Sequence, residues 1–357
     1  MEPQSCRWSK THQSAGSSRR HSLKLALQGC PIVVEYRCLS ELVLDTGVPP
    51  PAGLAQAAIG ADAPEQQPDR DEGVTLLVAQ TTLGIARVLG TRYEVLDVGR
   101  ATVSDLLTSG QFSQLEGAKV SATMERELVT LVAPMPRPGK IVIVGLNYND
   151  HAVEIGAELP LVPRVHLTSS SAVIGPTEDI PLPRIADMAV DFEGEMAVII
   201  GEPATDVTVA AAWSHVAGIT AANDITARDV QDGSNLHVAG PNVGLAKGFD
   251  GFKPLGPAIL SRDSVREGQA LILRTLVDGE VRQESNTAEM HFTVPELVSR
   301  ISQYTTLQRG DVILTGTPGG VGVSSGRFLR AGQLVEVQLE GVGSLRNRIV
   351  ATSQPLS

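Results

Sequence analysis

One acidic pattern limits the folds open to this chain: residues 190–200 have the sequence VDFEGEMAVII. In a strand, successive side chains alternate between faces, so Asp191, Glu193 and Glu195 would share one face at spacings of about 7 Å. The strand then continues into apolar residues that we expect to be buried on both faces. Like charges this close raise each other's pKa unless a cation compensates. The pattern therefore predicts either a metal-binding face or a solvent-exposed acidic edge strand.

Length, charge and cysteine content exclude several classes of protein. The chain has 357 residues, enough for one sizeable domain and a smaller one, and its net charge is −11 with no basic stripe. This balance argues against nucleic acid or a membrane surface as a partner. The longest apolar runs, 141–146 and 196–201, are far shorter than the roughly 20 residues of a membrane-spanning helix. The only cysteines are Cys6, Cys30 and Cys38, which fits a reducing compartment, in the first instance the cytoplasm.

Composition also divides the chain. Residues 1–24 hold five Lys or Arg, one acid and many serines, which is compatible with a mitochondrial transit segment or with a disordered tail. Residues 49–72 hold five prolines, five acids and no aromatic residue, as a linker does. We therefore predict an extension and linker over 1–72, a small α+β module over 73–135 and the main domain over 138–352.

Local patterns predict the elements of the small module. The segments 74–80, 83–90 and 92–98 are typical of short strands, and 103–110 (VSDLLTSG) of a helix capped by Ser104. A much longer run of short strands with few helices begins at KIVIVGLNY, after the proline-rich segment 134–140.

Several common catalytic motifs are absent. GGVGVSSG (319–326) is glycine-rich but lacks the strand-to-helix context of a dinucleotide site, and the sequence contains neither GxSxG nor HExxH. Nucleotide-dependent enzymes, serine hydrolases and zinc proteases are therefore disfavoured.

Four other segments carry polar residues of the kinds that active sites use. They are AANDITARD (221–229) with Asp224 and Arg228, LNYNDHAVEIG (146–156) with His151 and Glu154, LAKGFD (245–250) with Lys247, and ILTGTPGGVG (313–322) with Thr315 and Thr317. His151 and Glu154 are three residues apart and can touch across one helical turn. Taken singly, each also fits a structural role, such as a hydrogen-bonded histidine or a solvated lysine.

Taken together, these motifs resemble the fumarylacetoacetate hydrolase family from about Pro138 to Val350. The segments GLNYNDHAVEIG, DFEGE, NDITARDVQ, AKGFD, PLGP and GDVILTGTPGGVG occur in the family's order. The resemblance implies an α+β, β-rich fold, a sandwich-like roll that is usually a homodimer. It implies a divalent metal held by Glu193, Glu195 and Asp224, and a lid carrying His151 and Glu154. It also implies substrate contacts by Arg228, Gln231, Lys247 and Thr317.

The chemistry of these residue types agrees with the resemblance. Three carboxylate oxygens suit a hard ion, Mg²⁺ or Mn²⁺ with Ca²⁺ as a further candidate, and leave room for a chelating dicarbonyl and water. We expect a hydrolase that cleaves a carbon–carbon bond in an acylpyruvate-type 1,3-dicarbonyl or 2-oxo acid, with His151 as base, Glu154 orienting it, and Lys247 neutralising charge. The alternatives are a decarboxylase or isomerase of an oxaloacetate-like 2-oxo acid, and a non-catalytic protein with a structural ion. Asp191 is left over: it either supports the metal ligands from behind or is a paired surface acid, and of the two we expect the surface acid.

Two departures from the family pattern bear on the substrate. Where many relatives have FLKPPSA, this chain has HLTSSSA (166–172), so His166 replaces an aromatic residue and Thr168 replaces a lysine. The tryptophan that often precedes the AKSFD-like motif is also missing, with Asn242 and Val243 in that region. Both changes fall where relatives shape the pocket beyond the metal.

Overall fold

The structure, a computed structural model, describes residues 75–268 and 270–352. The predicted extension and linker, residues 1–72, lie outside the described residues. The strands are β1 (Leu77–Thr81), β2 (Gly84–Leu89), β3 (Arg92–Leu96), β4 (Val120–Glu125), β5 (Leu131–Val132), β6 (Ile141–Gly145), β7 (Arg164–Thr168), β8 (Val173–Ile174), β9 (Ile180–Leu182), β10 (Val190–Asp191), β11 (Gly194–Ile200), β12 (Val216–Asn223), β13 (Thr226–Ala227), β14 (Lys253–Ser261), β15 (Ile272–Val277), β16 (Glu280–Asn286), β17 (Val312–Leu314), β18 (Leu334–Leu339) and β19 (Gly343–Ala351).

Helices are few and mostly short, as the sequence predicts. They are α1 (Val103–Thr108), α2 (Asn149–Glu154), α3 (Val209–Ala212), α4 (Arg228–Asp232), α5 (Val243–Ala246), α6 (Val294–Tyr304) and α7 (Gly322–Ser325). None in the described part of the chain is long and apolar enough to cross a bilayer.

Three sheets organise the described residues. The largest has 12 strands in the order β4-β3-β2-β1-β14-β12-β11-β17-β6-β7, with β5 beside β1 and β8 beside β14. A five-stranded sheet has the order β16-β15-β18-β19-β9, and β10 pairs with β13 alone. The expected β-rich fold is confirmed. The division into a small module and a main domain stays a prediction, and β1 to β4 join the same sheet as the main-domain strands through the antiparallel β1–β14 pair.

The apolar end of the acidic stretch is buried on both faces of the large sheet. Met196 and Val198 belong to a core cluster that includes residues of α6 and of the five-stranded sheet, whereas Ala197 and Ile199 belong to a second cluster with residues of α1. Because both faces are covered, β11 is continuously apolar after its acids rather than alternating.

The helix boundaries follow from their caps. α6 begins with a capping box between Thr293 and Glu296, and its residues Leu297, Val298 and Ile301 are buried at helical spacing. In α1 the predicted cap is wrong: Thr102, not Ser104, accepts the Asp105 amide, and the Asp105 carboxylate accepts the Thr102 amide in return. Ser104 lies inside the helix.

Candidate active site

The three predicted metal ligands meet at the end of the β11–β12 pair. These strands are antiparallel, and Gly194 lies opposite Asn223 at the end of the ladder. Glu193 and Asp224, the next residue of each segment, therefore lie side by side just beyond that end, and the Asp224 amide donates to the Glu193 carbonyl at 2.8 Å. One carboxylate oxygen from each of Glu193, Glu195 and Asp224 lies within 4.8 Å of the others, and all three residues are buried. This is a compact acidic triad inside the protein.

Gly194 lets the triad sit close to the second sheet. A Cβ at this position would lie 2.0 Å from Thr275 Oγ1 and 3.3 Å from Val337 Cγ1, so a side chain would separate the two sheets. The Gly194 amide donates to Gln283 Oε1 at 3.0 Å, and its carbonyl accepts from Thr317 Oγ1 at 2.9 Å. The glycine of the DFEGE motif is therefore required by close packing.

Two buried lysines neutralise part of the triad. Lys247 Nζ donates to Glu193 Oε2 at 2.7 Å, to Asp224 Oδ2 at 2.5 Å and to Thr226 Oγ1 at 2.8 Å. Lys253 Nζ lies 2.8 Å from the other Asp224 oxygen. Burial disfavours the charged form of Lys247, yet Asp224 and Glu193 outweigh it and raise the pKa of this ammonium. Lys247 is therefore held as a cation between two of the three acids.

Arg228 pairs with the Glu193 oxygen that Lys247 does not contact, and it also pairs with Asp191. Its guanidinium contacts Glu193 Oε1 at 2.6 Å and Asp191 Oδ2 at 2.8 Å, and donates to Gln231 Oε1 at 3.0 Å. Burial opposes ionisation of Glu193, but Lys247 and Arg228 lower the pKa of this carboxyl to about 2.

The expectation that Asp191 is a surface acid is wrong. The acidic stretch is not one continuous strand, because β10 ends at Asp191 and β11 begins at Gly194. Asp191 is fully buried and also accepts the amides of Gly322 at 2.7 Å and Val323 at 2.9 Å. It holds Arg228 in position instead of facing solvent.

The donor set fits a divalent cation. Within the described residues, this buried cluster contains four acids (Asp191, Glu193, Glu195, Asp224) and three bases (Arg228, Lys247, Lys253), so one negative charge is uncompensated. The excess is felt most at Glu195, where burial, together with Asp224 and Glu193, disfavours the ionised form and raises the pKa of this carboxyl well above its usual range. A bound cation would offset that repulsion, and oxygen-only ligands suit Mg²⁺ or Mn²⁺.

His151 and Glu154 form the predicted pair on α2. His151 Nδ1 lies 3.2 Å from Glu154 Oε2, and Glu154 Oε1 accepts the Gly320 amide at 3.0 Å. Because the carboxylate faces Nδ1, the other ring nitrogen, Nε2, is left for exchange of a proton.

One turn forms main-chain hydrogen bonds with the acidic triad, with the His151–Glu154 pair and with Asp191. It is the glycine-rich turn, residues 316–322. The Gly316 amide donates to the Glu195 carboxylate at 2.7 Å, the Gly320 amide donates to Glu154, and the Gly322 amide donates to Asp191. Gly316 and Gly320 have φ values of +99° and +100°, which favour glycine, and a Cβ on Gly320 would lie 2.0 Å from the Arg282 carbonyl oxygen.

These groups surround a cavity of about 310 Å³. The predicted residues that line it are His151, Glu193, Glu195, Arg228, Gln231, Lys247 and Thr317. Asp224 and Glu154 lie behind this lining and contact it through Lys247 and His151. Thr315 donates to the Met196 carbonyl instead and does not line the cavity.

Of the residues at the two departures from the family pattern, Val243 lines the cavity, and the two residues of HLTSSSA differ in their placement. His166 lines the cavity, and burial, with help from Lys247, lowers the pKa of its imidazole. Thr168 donates its hydroxyl to the Gly244 carbonyl at 3.1 Å and does not line the cavity.

Sequence reasoning missed three contributors. Lys253 directly precedes the PLGP motif, Gln283 donates to Thr317 Oγ1 at 2.8 Å, and Arg164 lines the cavity. For Arg164 a signal existed, since it alternates with His166 along β7. Nothing local to Gln283 predicts its role, because it reaches the site from the other sheet.

Comparison with known proteins decides the family. A family model described as fumarylacetoacetate (FAA) hydrolase C-terminal matches residues 140–350, more than half of the chain. The chain belongs to this family. Among solved structures of the family's fold, 2-hydroxyhepta-2,4-diene-1,7-dioate isomerase from Mycobacterium marinum is 30% identical with a TM-score of 0.63, covering 78% of this chain and all of that one. A fumarylacetoacetate hydrolase from Exiguobacterium antarcticum is 29% identical with a TM-score of 0.66, covering 78% of this chain and 99% of that one.

Related sequences correct the expected reaction. Bovine oxaloacetate tautomerase FAHD2A, named as mitochondrial, is 41% identical over 262 residues, which cover 73% of this chain and 80% of that protein. Oxaloacetate tautomerase YisK of Bacillus subtilis is 38% identical over 226 residues, 62% of this chain and 73% of that protein. Both relatives are enzymes, and neither is named as a hydrolase. The expectation of a carbon–carbon bond hydrolase is therefore wrong, and the alternative of an oxaloacetate-like isomerase or decarboxylase fits these family members better.

Proposed function

We propose that this protein is a divalent-metal-dependent tautomerase that interconverts the keto and enol forms of oxaloacetate or a closely similar 2-oxo diacid. One observation carries the proposal: a single cavity exposes two members of a compact carboxylate triad and the His151 imidazole to the same volume. The names of the relatives support the substrate class.

Tautomerisation requires fewer catalytic groups than carbon–carbon bond hydrolysis does. A proton leaves the C3 carbon, its electron pair forms the C2–C3 double bond, and the carbonyl oxygen on C2 takes up a proton. No water molecule attacks and no carbon–carbon bond breaks. A base, a proton donor and positive charge near the carbonyl oxygen are sufficient.

His151 is the proposed base. Glu154 faces Nδ1 at 3.2 Å and stabilises the imidazolium that forms when Nε2 accepts the C3 proton. The Gly320 amide fixes the second oxygen of Glu154, so the pair is oriented by the glycine-rich turn. His151 then returns its proton to the enolate oxygen or to solvent.

The remaining residues of the site bind the metal, keep Glu193 ionised or contact the substrate. Glu193, Glu195 and Asp224 would hold Mg²⁺, Mn²⁺ or Ca²⁺, which would supply positive charge where the carbonyl oxygen becomes negative. Lys247 and Arg228 keep Glu193 ionised and fix its two oxygens in place. Thr317 and Gln231 offer polar atoms to the substrate at the cavity wall.

The test is a rate measurement on the metal-loaded protein. Enol oxaloacetate is added, the ultraviolet absorbance of the enol is followed, and pyruvate and CO₂ are measured in parallel. We expect enzyme-dependent ketonisation without pyruvate formation. His151→Ala should slow it by about 10²–10⁴-fold, the usual contribution of general acid–base catalysis. Glu154→Gln should have a smaller effect, because it keeps a hydrogen bond to the imidazole.

His237→Ala is the matched control, since His237 is exposed and does not line the cavity. It should retain wild-type rates. Ketonisation no faster than in buffer with the same metal would refute the proposal, and pyruvate release faster than ketonisation would replace it with decarboxylation. Full activity of His151→Ala would refute the role of the histidine.

Compartment and assembly form a separate part of the proposal. We propose a reducing compartment, either the cytoplasm or the mitochondrion that the bovine relative's name gives for that protein. We also propose a homodimer, as the family resemblance implies. A fluorescent fusion of the full chain locates the protein, and sedimentation velocity measures its oligomeric state; a monomer at micromolar concentration would contradict the dimer.

A further inference from the structure

Strand β7 presents a polar face with one charged residue, Arg164, to the cavity. Arg164 and His166 lie on that face and line the cavity, whereas Val165 and Leu167 alternate with them and line a separate groove on the other side of the strand. Arg164 is the first residue of the strand and pairs in register with Gly145, which also lines the cavity. Its Cβ lies 3.7 Å from where a Cβ on Gly145 would be, an ordinary van der Waals distance, so the two residues are close neighbours across the ladder.

The other cations of the cavity are already engaged. Arg228 is bound to Asp191, Glu193 and Gln231, and Lys247 is bound to Glu193, Asp224 and Thr226. Among the residues that the structure describes, no acid or carbonyl pairs with the guanidinium of Arg164. Arg164 is exposed, so its five donors are available to a ligand that enters the cavity.

We propose that Arg164 is a specificity residue that binds the substrate carboxylate remote from the reacting carbonyl. This inference rests on the proposed function and adds to it that the second carboxylate of the diacid is recognised by a residue of β7. Neither of the other two residues on this face of β7 supplies a positive charge for the carboxylate. Burial lowers the pKa of the His166 imidazole, and Thr168 is uncharged and donates its hydroxyl to the Gly244 carbonyl.

Charge counting supports a separate site for that carboxylate. The buried cluster of four acids and three bases has a charge of −1, and a divalent cation would change it to +1. The carboxylate beside the reacting carbonyl brings the sum to zero. A second carboxylate would then be uncompensated, and in a partly enclosed cavity that is costly. Arg164 offers that carboxylate a positive charge, and its planar guanidinium suits bidentate binding of a carboxylate.

The test compares two non-reacting ligands that differ only in the remote carboxylate. L-malate and L-lactate share the 2-hydroxy acid end, and malate has a carboxylate where lactate has a hydrogen. Their dissociation constants are measured by calorimetry on the full-length, Mn²⁺-loaded wild type, Arg164→Gln and Arg164→Lys. We expect wild type to bind malate about 10-fold more tightly than lactate, a modest factor because Arg164 is exposed.

Arg164→Gln should remove that preference and leave lactate affinity unchanged, and Arg164→Lys should keep part of it. Arg100→Gln is the matched control, since it removes the same charge from an exposed residue away from the cavity, and it should keep the full preference. Melting temperatures confirm that the variants fold.

Equal affinities for malate and lactate in the wild type, or an Arg164→Gln variant that retains the preference, would overturn the inference. If the wild type prefers malate through Arg164 but fails to ketonise oxaloacetate, the binding role stands and the proposed reaction falls. The two proposals can therefore fail separately.

Discussion

Asp191→Ala tests whether the broken acidic strand holds the site together. Asp191 is fully buried, contacts Arg228 twice at 2.8 Å and accepts the amides of Gly322 and Val323. Removing one partner of a buried ion pair costs about 3–5 kcal/mol, because the other charge stays buried without its partner. Burial already raises the pKa of Asp191 against the effect of Arg228, and Arg228 keeps Glu193 as a second partner. We therefore expect the lower end of that range, about 3 kcal/mol.

The measurement is urea unfolding followed by circular dichroism, with a chelator present so that metal binding does not contribute. The midpoint should fall with the slope unchanged, since the surface exposed on unfolding stays the same. Asp263→Ala is the control: its side chain is 83% exposed and 3.5 Å from Arg262, so a change within about 0.5 kcal/mol is expected. If Asp191→Ala cost less than about 1 kcal/mol, solvent would be replacing the carboxylate and the bridging role would be wrong.

The remaining predictions concern the metal, the packing of the triad and the N-terminal segment. Mn²⁺ at about 100 times its dissociation constant should stabilise the wild type by about 2.7 kcal/mol, and Glu195→Gln should lose most of this; unchanged metal affinity by calorimetry would contradict the triad. Gly194→Ala should cost about 1–3 kcal/mol in urea unfolding because its Cβ would overlap Thr275, whereas Gly117→Ala, with no atom within 4 Å, should cost almost nothing; equal costs would contradict the packing argument. Deletion of residues 1–70 should leave melting temperature and activity unchanged, since the first described strand begins at Leu77, and an insoluble or inactive protein would show the segment to be needed.

The sequence predicts those parts of the site whose chemistry is local. Glu193, Glu195 and Asp224 lie in short motifs at the adjoining ends of β11 and β12, and the pairing of these two strands brings them together. His151 and Glu154 meet because a helical turn joins them. In each case the relevant distance is set by secondary structure alone.

The parts that were not predicted depend on contacts between distant segments. Asp191 leaves the row of acids because β10 pairs with β13 rather than continuing into β11, and its partner Arg228 is 37 residues away. Gln283 reaches Thr317 from the second sheet. The reaction depends on finer features still, since hydrolysis and tautomerisation can use the same metal ligands and differ in whether the cavity presents water to the substrate.

The glycine-rich turn imposes a rule on how this site can change during evolution. Its contacts with Glu195, Glu154 and Asp191 are made by main-chain amides, so replacing side chains elsewhere in the turn leaves every one of them in place. Inserting or deleting a single residue would instead shift at least one amide by about 3 Å along the chain relative to its acceptor. The turn must therefore keep its length as well as its glycines at 316, 320 and 322, where a Cβ would lie less than 3 Å from a neighbouring atom.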